Sequence, residues 1–306
     1  LLNPSGFTLT GGSAKYDQLR ELMKTMEADV MCFPEVNVCW HKLAPRNRLE
    51  ERTMGWFEML HRSVSYNFRD RMTSRHQFGG TAIFSINNAA SRVMGSGRDS
   101  TGLGRWTWTR FRGRNGIATR KVYEYRLCIP AGSDKVFSVY EQHQRFFDNQ
   151  RDDICPREAF IRDLCEELDE WIAQGDQVIV ALDANEELRR GPVATAFQER
   201  NLREALLSRH GRNAPPTMDN GSSVIDGIWV TPSIEIIGGG YLAGGEALLR
   251  TNHRCLWVDV TYKTMYGHEL PLIARYVIHQ LKLQDPQVVR KFIVSYREWI
   301  EQHGLA

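Results

Sequence analysis

Apolar and polar positions along this chain follow two rhythms. From Ser13 to Glu27, Leu19, Leu22, Met23 and Met26 fall at i, i+3, i+4 and i+7, which predicts an amphipathic helix. ADVMCF is a short unbroken apolar run and predicts a buried strand ending at Pro34 and Glu35. GGTAIFSI reads as a strand opened by a glycine pair, and RWTWTRFRGRNG as a strand entering a glycine-rich turn. KVYEYRL and KVFSVYEQH also have strand composition. Over 157–173, Phe160, Ile161, Leu164, Leu168, Trp171 and Ile172 return to helical spacing, with Gly175 placed as a stop. QVIVAL is a further buried strand, two short helices fit within 192–209, and VIDGIWV and CLWVDVTY close the series of strands. Beyond about residue 263 the character changes. DPQVVRKFIVSYREWIEQHG carries Asp285 as a cap, Pro286 in the first turn, and Phe292, Tyr296, Trp299 and Ile300 on one face of a helix.

Strands outnumber helices, and helices fall between only some of them. That is neither a regular βαβ alternation nor an all-β pattern, so the expected class is α/β, with packed sheets and helices outside. The expected division is a body over 1–262 and a helical extension or connector over 263–306. At 306 residues, 42% apolar and 25% charged, the chain has ordinary globular composition. Its apolar runs are too short to cross a bilayer, and no secretory leader pattern precedes the body. The chain opens at Leu1, close to what reads as the end of a strand, which suggests a piece of a longer polypeptide. Six cysteines form no CxxC and no zinc spacing, which favours a reduced, intracellular protein. The net charge of +2 is too small to argue for nucleic acid, so any such argument rests on where the charge lies.

Candidate chemistry gathers where apolar runs end. Asn3 stands at the start, Glu35 follows VMCF, Asp183 and Asn185 follow VIVAL, Asp226 interrupts VIDGIWV, and His253 precedes CLWVDV. An acid at a strand end is usually a turn former or cap, but five such places in one chain suit one reaction. Phosphodiester cleavage needs a hard cation, held by one or two carboxylates. It also needs a carboxylate to position water, and a donor for the non-bridging oxygens. Glu35, Asp183 and an Asp226–His253 pair can supply these, while Asn3 and Asn185 orient groups without adding charge.

The order Asn3, Glu35, Tyr125, Asp183-x-Asn185, Asp226, Asn252-His253 resembles the endonuclease/exonuclease/phosphatase superfamily, carried by NPSGF, ADVMCFPEVN, LDANEEL, VIDGIWVTP and TNHRCLWVDV. Further stretches, ERTMGWFE, FGGTAIFSIN, TGLGRWTWTRFRGRNG and GHELPLIAR, are similar to endonuclease domains that precede reverse transcriptases in non-LTR-type retroelements. The resemblance implies a four-layer α/β/β/α sandwich of two packed mixed sheets with outer helices, and a site at one edge of it. It implies Glu35 as principal Mg²⁺ ligand (Mn²⁺ being an alternative), with Asn3 nearby and Asn252 within reach of the metal. Asp183 and Asn185 would hold the attacking water, Asp226 would orient His253 against the scissile phosphate, and Tyr125 would help position that phosphate. It further implies DNA as substrate, a reverse transcriptase on the same polyprotein, and a nuclear place of action.

The chain also departs from the family pattern. The closing motif normally reads Ser-Asp-His and here reads Thr251-Asn252-His253; Leu182 replaces a glycine, Pro34 a glutamine, and Glu124 a small residue. Leu127 stands where a proline is usual, and Ser5 where Asn or Asp is usual. These changes leave room for a binding module with a decayed site, and the shared residue set leaves room for a phosphatase. For substrate, Trp106, Trp108, Arg110 and Arg112 share one face of a strand, a row suited to stacking and phosphate contact. The competing reading is an edge strand with packed tryptophans. NFRDRMTSRH at 67–76 adds a second basic segment, with a solvated loop as its plainer reading.

Overall fold

The computed structural model describes residues 1–7, 14–72, 74–114, 116–125, 137–242, 249, 251–268 and 286–303, except for the side chains of Tyr123 and Tyr125. Two compact units are present, 1–269 and 270–306. The first begins with α1 (Ala14–Thr25), β1 (Val30–Phe33), α2 (Leu49–Arg52), β2 (Leu60–Ser65), β3 (Thr81–Ile86), α3 (Asn87–Ser91) and β4 (Val93–Arg98). It continues through β5 (Trp106–Arg112), β6 (Ala118–Tyr125), α4 (Val139–Gln150), α5 (Pro156–Ala173), β7 (Gln177–Asp183) and α6 (Pro192–Glu199). It ends with β8 (Arg203–Glu204), α7 (Ala205–His210), β9 (Asp226–Val230), β10 (Ile236–Leu242), β11 (Cys255–Val260) and α8 (Tyr262–Tyr266). The second unit carries α9 (Pro286–Gln302), where Phe292 and Tyr296 stack one helical turn apart. Its expected cap Asp285 lies outside the described residues, as does Leu127.

One sheet has strand order β4-β5-β6-β7-β9-β8. The other is assembled from β2-β3-β1 and β10-β11, with Leu1 and Leu2 between them. The Leu1 amino group donates to Leu256 O at 2.8 Å, and the Leu256 N–H returns a bond to Leu1 O at 2.9 Å. On the opposite side Leu2 N–H donates to Cys32 O at 3.0 Å. Two residues therefore join the two strand groups into one hydrogen-bonded layer.

Period-2 alternation sorts the strands into the layers of the sandwich. In β7, Val178, Val180 and Leu182 pack under α5 and α6, while Ile179 and Ala181 face the other sheet. In β9, Trp229 lies on the helix side, and Ile228 and Val230 lie between the sheets. Met31 and Phe33 of β1 meet Leu19, Leu22 and Met23 of α1, whereas Cys32 turns inward. The structure is therefore the α/β/β/α sandwich, with two outer cores and one inter-sheet core. Burying each large apolar side chain contributes roughly 1.5–3 kcal/mol.

Two sequence expectations change. From Val139 the stretch KVFSVYEQH is helix α4 rather than strand, because the Ser138 side chain accepts from Glu141 N–H and caps the first turn. Lys135 and Val136 of that stretch lie outside the described residues. The body also continues past residue 262, since Met265 and Tyr266 of α8 are buried between the sheets and Met265 O accepts from Thr119 Oγ1.

Candidate active site

The parity that builds the inter-sheet core also aims the acids. Asp183 has the register of Ile179 and Ala181, and Asp226 that of Ile228 and Val230, so both carboxylates point into the cleft between the sheets. The pairing register sets Asp183 directly opposite Asp226, and Tyr125 beside Asp183 on the other strand edge. Tyr125 is thus placed at the expected end of β6; its side chain lies outside the described residues.

From the facing sheet, His253 enters immediately before β11. Its Nδ1 lies 2.9 Å from Asp226 Oδ2, and both side chains are buried. Thr217, with no exposed surface, accepts the N–H groups of Ile225 and Asp226 at 3.0 and 3.1 Å. It also bonds through its carbonyl to Arg254 N–H, so one residue ties the Asp226 strand to the closing motif. No sequence signal marked Thr217, which lies in an irregular segment away from the strand ends.

Glu35 follows β1 in a left-handed turn with φ near +45°. A non-glycine residue there costs roughly 1–2 kcal/mol, the kind of strain that surrounding structure must sustain. Asn3 Nδ2 donates to Glu35 Oε2 at 3.0 Å, and Asn3 Oδ1 accepts from Ser5 N–H at 2.9 Å. Thr251 Oγ1 donates to Asn3 O at 2.6 Å. Asn252 is exposed and its Oδ1 accepts from Ser5 Oγ at 3.3 Å, which places the amide on the Asn3 side of the site. Asn185 is also left-handed, which asparagine tolerates, and its N–H donates to Asp183 Oδ1 at 3.1 Å. Of the sequence departures, Leu182 and Glu124 point to the helix side and do not intrude on Asp183.

Charge is concentrated here. Burial, then the negative charges of Asp226 and Glu35, hold the Asp183 carboxyl well above its usual range, against His253 and the Asn185 N–H. Burial opposes charge on His253. The Asp226 hydrogen bond and the charges of Asp226, Asp183 and Glu35 outweigh it, and the imidazole is pushed up to about 9. At neutral pH His253 is therefore an imidazolium, with Nδ1–H committed to Asp226 and Nε2–H left to donate.

Ligand atoms of Asp183, Asp226 and His253 lie within 4.8 Å of one another. His253 Nδ1 is already bonded to Asp226, so the donors that suit a cation are the carboxylate oxygens of Asp183, Asp226 and Glu35. The Asn3 amide stands beside Glu35. Crowded, mutually repelling oxygens of this kind fit a hard divalent ion.

The proposed stacking row on β5 is a correction. Trp106 has no exposed surface and packs edge-on against Phe160 of α5, with centroids 5.9 Å apart. Trp108 meets Trp171 at 6.1 Å. Arg110 is bound to the buried Asp176 by three contacts of 2.7–3.1 Å. α5 roofs the tryptophan end of that face, and Arg110, partly exposed, is committed to Asp176. Arg112 is exposed, but it pairs with Ala118 at the strand end opposite the site. The length of β7 separates them, roughly 20 Å at 3.3 Å per residue. Arg110→Ala is accordingly expected to cost about 1.5–3 kcal/mol through loss of charged hydrogen bonds and to leave oligonucleotide affinity unchanged; thermal melting and fluorescence anisotropy on the same sample check both.

No family model matches the sequence, and no curated protein matches it. Solved structures do match its fold. The 3′ phosphatase NExo from Neisseria, bound to a product DNA hairpin, superposes with a TM-score of 0.58 at 14% identity, covering 85% of this chain and 97% of that one. The catalytic domain of Xenopus laevis APE2 gives 0.57 at 14% identity, covering 84% and 90%. An endonuclease/exonuclease/phosphatase from Bacteroides vulgatus gives 0.52 at 13% identity, covering 81% and 90%. The chain thus has the DNase-I-like fold shared by these nucleases and phosphatases.

Proposed function

We propose that this protein is a divalent-cation-dependent phosphodiesterase, and specifically a DNA endonuclease. The observation that carries the proposal is the buried pair Asp183 and Asp226, met across the inter-sheet cleft by His253, with Glu35 and Asn3 on the His253 side. In this reading Glu35, with Asn3, holds Mg²⁺ or Mn²⁺, which neutralises the phosphate when bound. Asp183 accepts a proton from, or aligns, the attacking water. The Asn185 N–H fixes the Asp183 carboxylate. His253 Nε2–H donates to a non-bridging oxygen as negative charge builds there, and Asp226 keeps that imidazole charged and oriented. DNA is favoured by the stretches similar to retroelement endonuclease domains, TGLGRWTWTRFRGRNG and GHELPLIAR among them, and the NExo neighbour was solved with a DNA hairpin.

The resemblance to endonuclease domains of non-LTR-type retroelements extends the proposal. The enzyme would nick target DNA for insertion, as part of a polyprotein with a reverse transcriptase, and act in the nucleus. A second reading, binding without cleavage, is favoured by one observation: Asn252 brings no charge to the Ser5–Asn3 side of the site. Incubation with supercoiled plasmid separates them. Nicking that requires Mg²⁺ or Mn²⁺ and stops with EDTA is the expected result. Intact plasmid at high protein concentration, together with salt-dependent DNA binding, would establish the second reading instead.

A further inference from the structure

The segment that follows β2 returns to the site by a route the strand pattern does not reveal. Gly79 and Gly80 accept the N–H groups of Asn37 and Val36 at 2.9 and 3.3 Å, immediately after Glu35. Arg75 O accepts from Cys39 N–H at 3.0 Å. The basic stretch at 67–78 is thereby laid against the Glu35 loop, at the strand ends that carry the acids.

Its interior is polar and built. Gln142 of α4, 1% exposed, donates through Nε2 to Phe78 O at 3.2 Å and to Phe137 O at 3.0 Å. Its Oε1 accepts from Asn67 Nδ2 at 3.3 Å, and Gln77 Nε2 donates to Asn67 O at 2.7 Å. One buried amide thus clamps two separate loops together. What they present outward is apolar, since Phe78 and Phe137 are each 49% exposed. Arg71 and Arg75 are exposed on the same segment. Its one carboxylate among the described residues, Asp70, is buried and ion-paired with Arg145.

Two half-exposed aromatic rings on loops fixed by buried hydrogen bonds, with arginines and, among the described residues of the 67–78 segment, no exposed acid, have the chemistry of a stacking platform for unpaired bases. We infer that Phe78 and Phe137, flanked by Arg71 and Arg75, bind a single-stranded stretch of nucleic acid next to the scissile phosphate. This rests on the phosphodiesterase reading of the site and adds to it the strandedness of the substrate. Stacking accepts any base, whereas a paired duplex hides its base faces. The surface should therefore prefer single-stranded or locally opened DNA to blunt duplex.

The test uses the full chain in EDTA with a fluorescein-labelled single-stranded oligonucleotide, a blunt duplex of the same sequence, and phosphatidylserine vesicles. The expected result is that Phe78→Ala and Phe137→Ala each weaken single-strand affinity about ten-fold, while Phe78→Tyr and Phe137→Tyr retain it. Duplex affinity should move less. Equal affinities for wild type and both alanine variants would overturn the inference, as would a loss confined to vesicles or equal for duplex and single strand. Unchanged melting temperatures show that the variants fold. Hydrolysis of bis(p-nitrophenyl) phosphate by the wild type with Mn²⁺ is scored separately. Its absence sinks the phosphodiesterase reading, whereas hydrolysis with unaltered binding by the phenylalanine variants sinks only the platform.

Discussion

Asp183→Asn is expected to lower phosphodiester cleavage by about 10²–10⁴-fold and, in the same protein, to raise its stability. The two effects have one cause. Asp183 is buried, faces Asp226 across the strand pair, and accepts the Asn185 backbone N–H within its own turn. Like charges set directly opposite on neighbouring strands repel. Burial, Asp226 and Glu35 hold the folded-state carboxyl well above its ordinary value of 3.8. The sign follows from linkage. An acid whose folded pKa is raised is ionised first in the unfolded chain, so its favourable contribution is intact below about pH 4 and declines as pH rises towards the folded value. Each unit of difference is worth about 1.4 kcal/mol. In EDTA, wild type and Asp183→Asn should therefore melt together near pH 4 and separate with rising pH, the variant being more stable. Equal melting temperatures at pH 8 would show that the acids are not in conflict. Retained cleavage would remove Asp183 from the chemistry.

The second large effect is expected far from any substrate. Glu124 has no exposed surface, and neither carboxylate oxygen has a hydrogen-bond partner among the described residues. It lies on the helix side of β6, near Glu167 of α5, whose carboxyl accepts from Trp106 Nε1 at 3.3 Å. Burial, then the neighbouring Glu167, holds the Glu124 carboxyl well above 4.5. Burial pushes Glu167 to about 7, partly offset by the Trp106 bond. A buried polar group without a partner costs ~1–3 kcal/mol. Glu124→Met keeps most of the volume and removes the polar atoms. It should raise the melting temperature by roughly 2–6 °C at pH 8, with a smaller gain near pH 3, well below the ordinary value of 4.5, where both states hold a neutral acid. A lower melting temperature at pH 8 would mean that Glu124 has a partner that stabilises it.

Much of this architecture was legible in the chain. β1, β3, β5, β7, β9 and β11 announce themselves as apolar runs, and the residues brought together at the site stand at the ends of those runs. β4 and β10 were missed because their sequences, VMGSGR and IIGGGYL, carry few side chains with which to alternate. The structure gives a reason for one of these glycines. A Cβ on Gly97 would lie 2.5 Å from the Trp108 ring, so the edge strand is thin where the indole needs room. The tryptophan row fails for a related reason. Alternation tells which residues share a face, but not whether a distant helix covers it, and α5 begins far along the chain from β5. α4 was misread because its buried side includes Gln142 and His143. A polar residue satisfied inside the fold looks, in sequence, like one facing water.

The opposition of Asp183 and Asp226 has one more consequence. β7 and β9 are antiparallel, and in each the carboxylate shares its side with the inter-sheet core while the alternate residues serve the helix side. Sliding β9 by one residue would turn Asp226 into the greasy contact surface of α6 and push Trp229 into the cleft. A chain that keeps this pairing register therefore keeps the two acids opposed in the cleft.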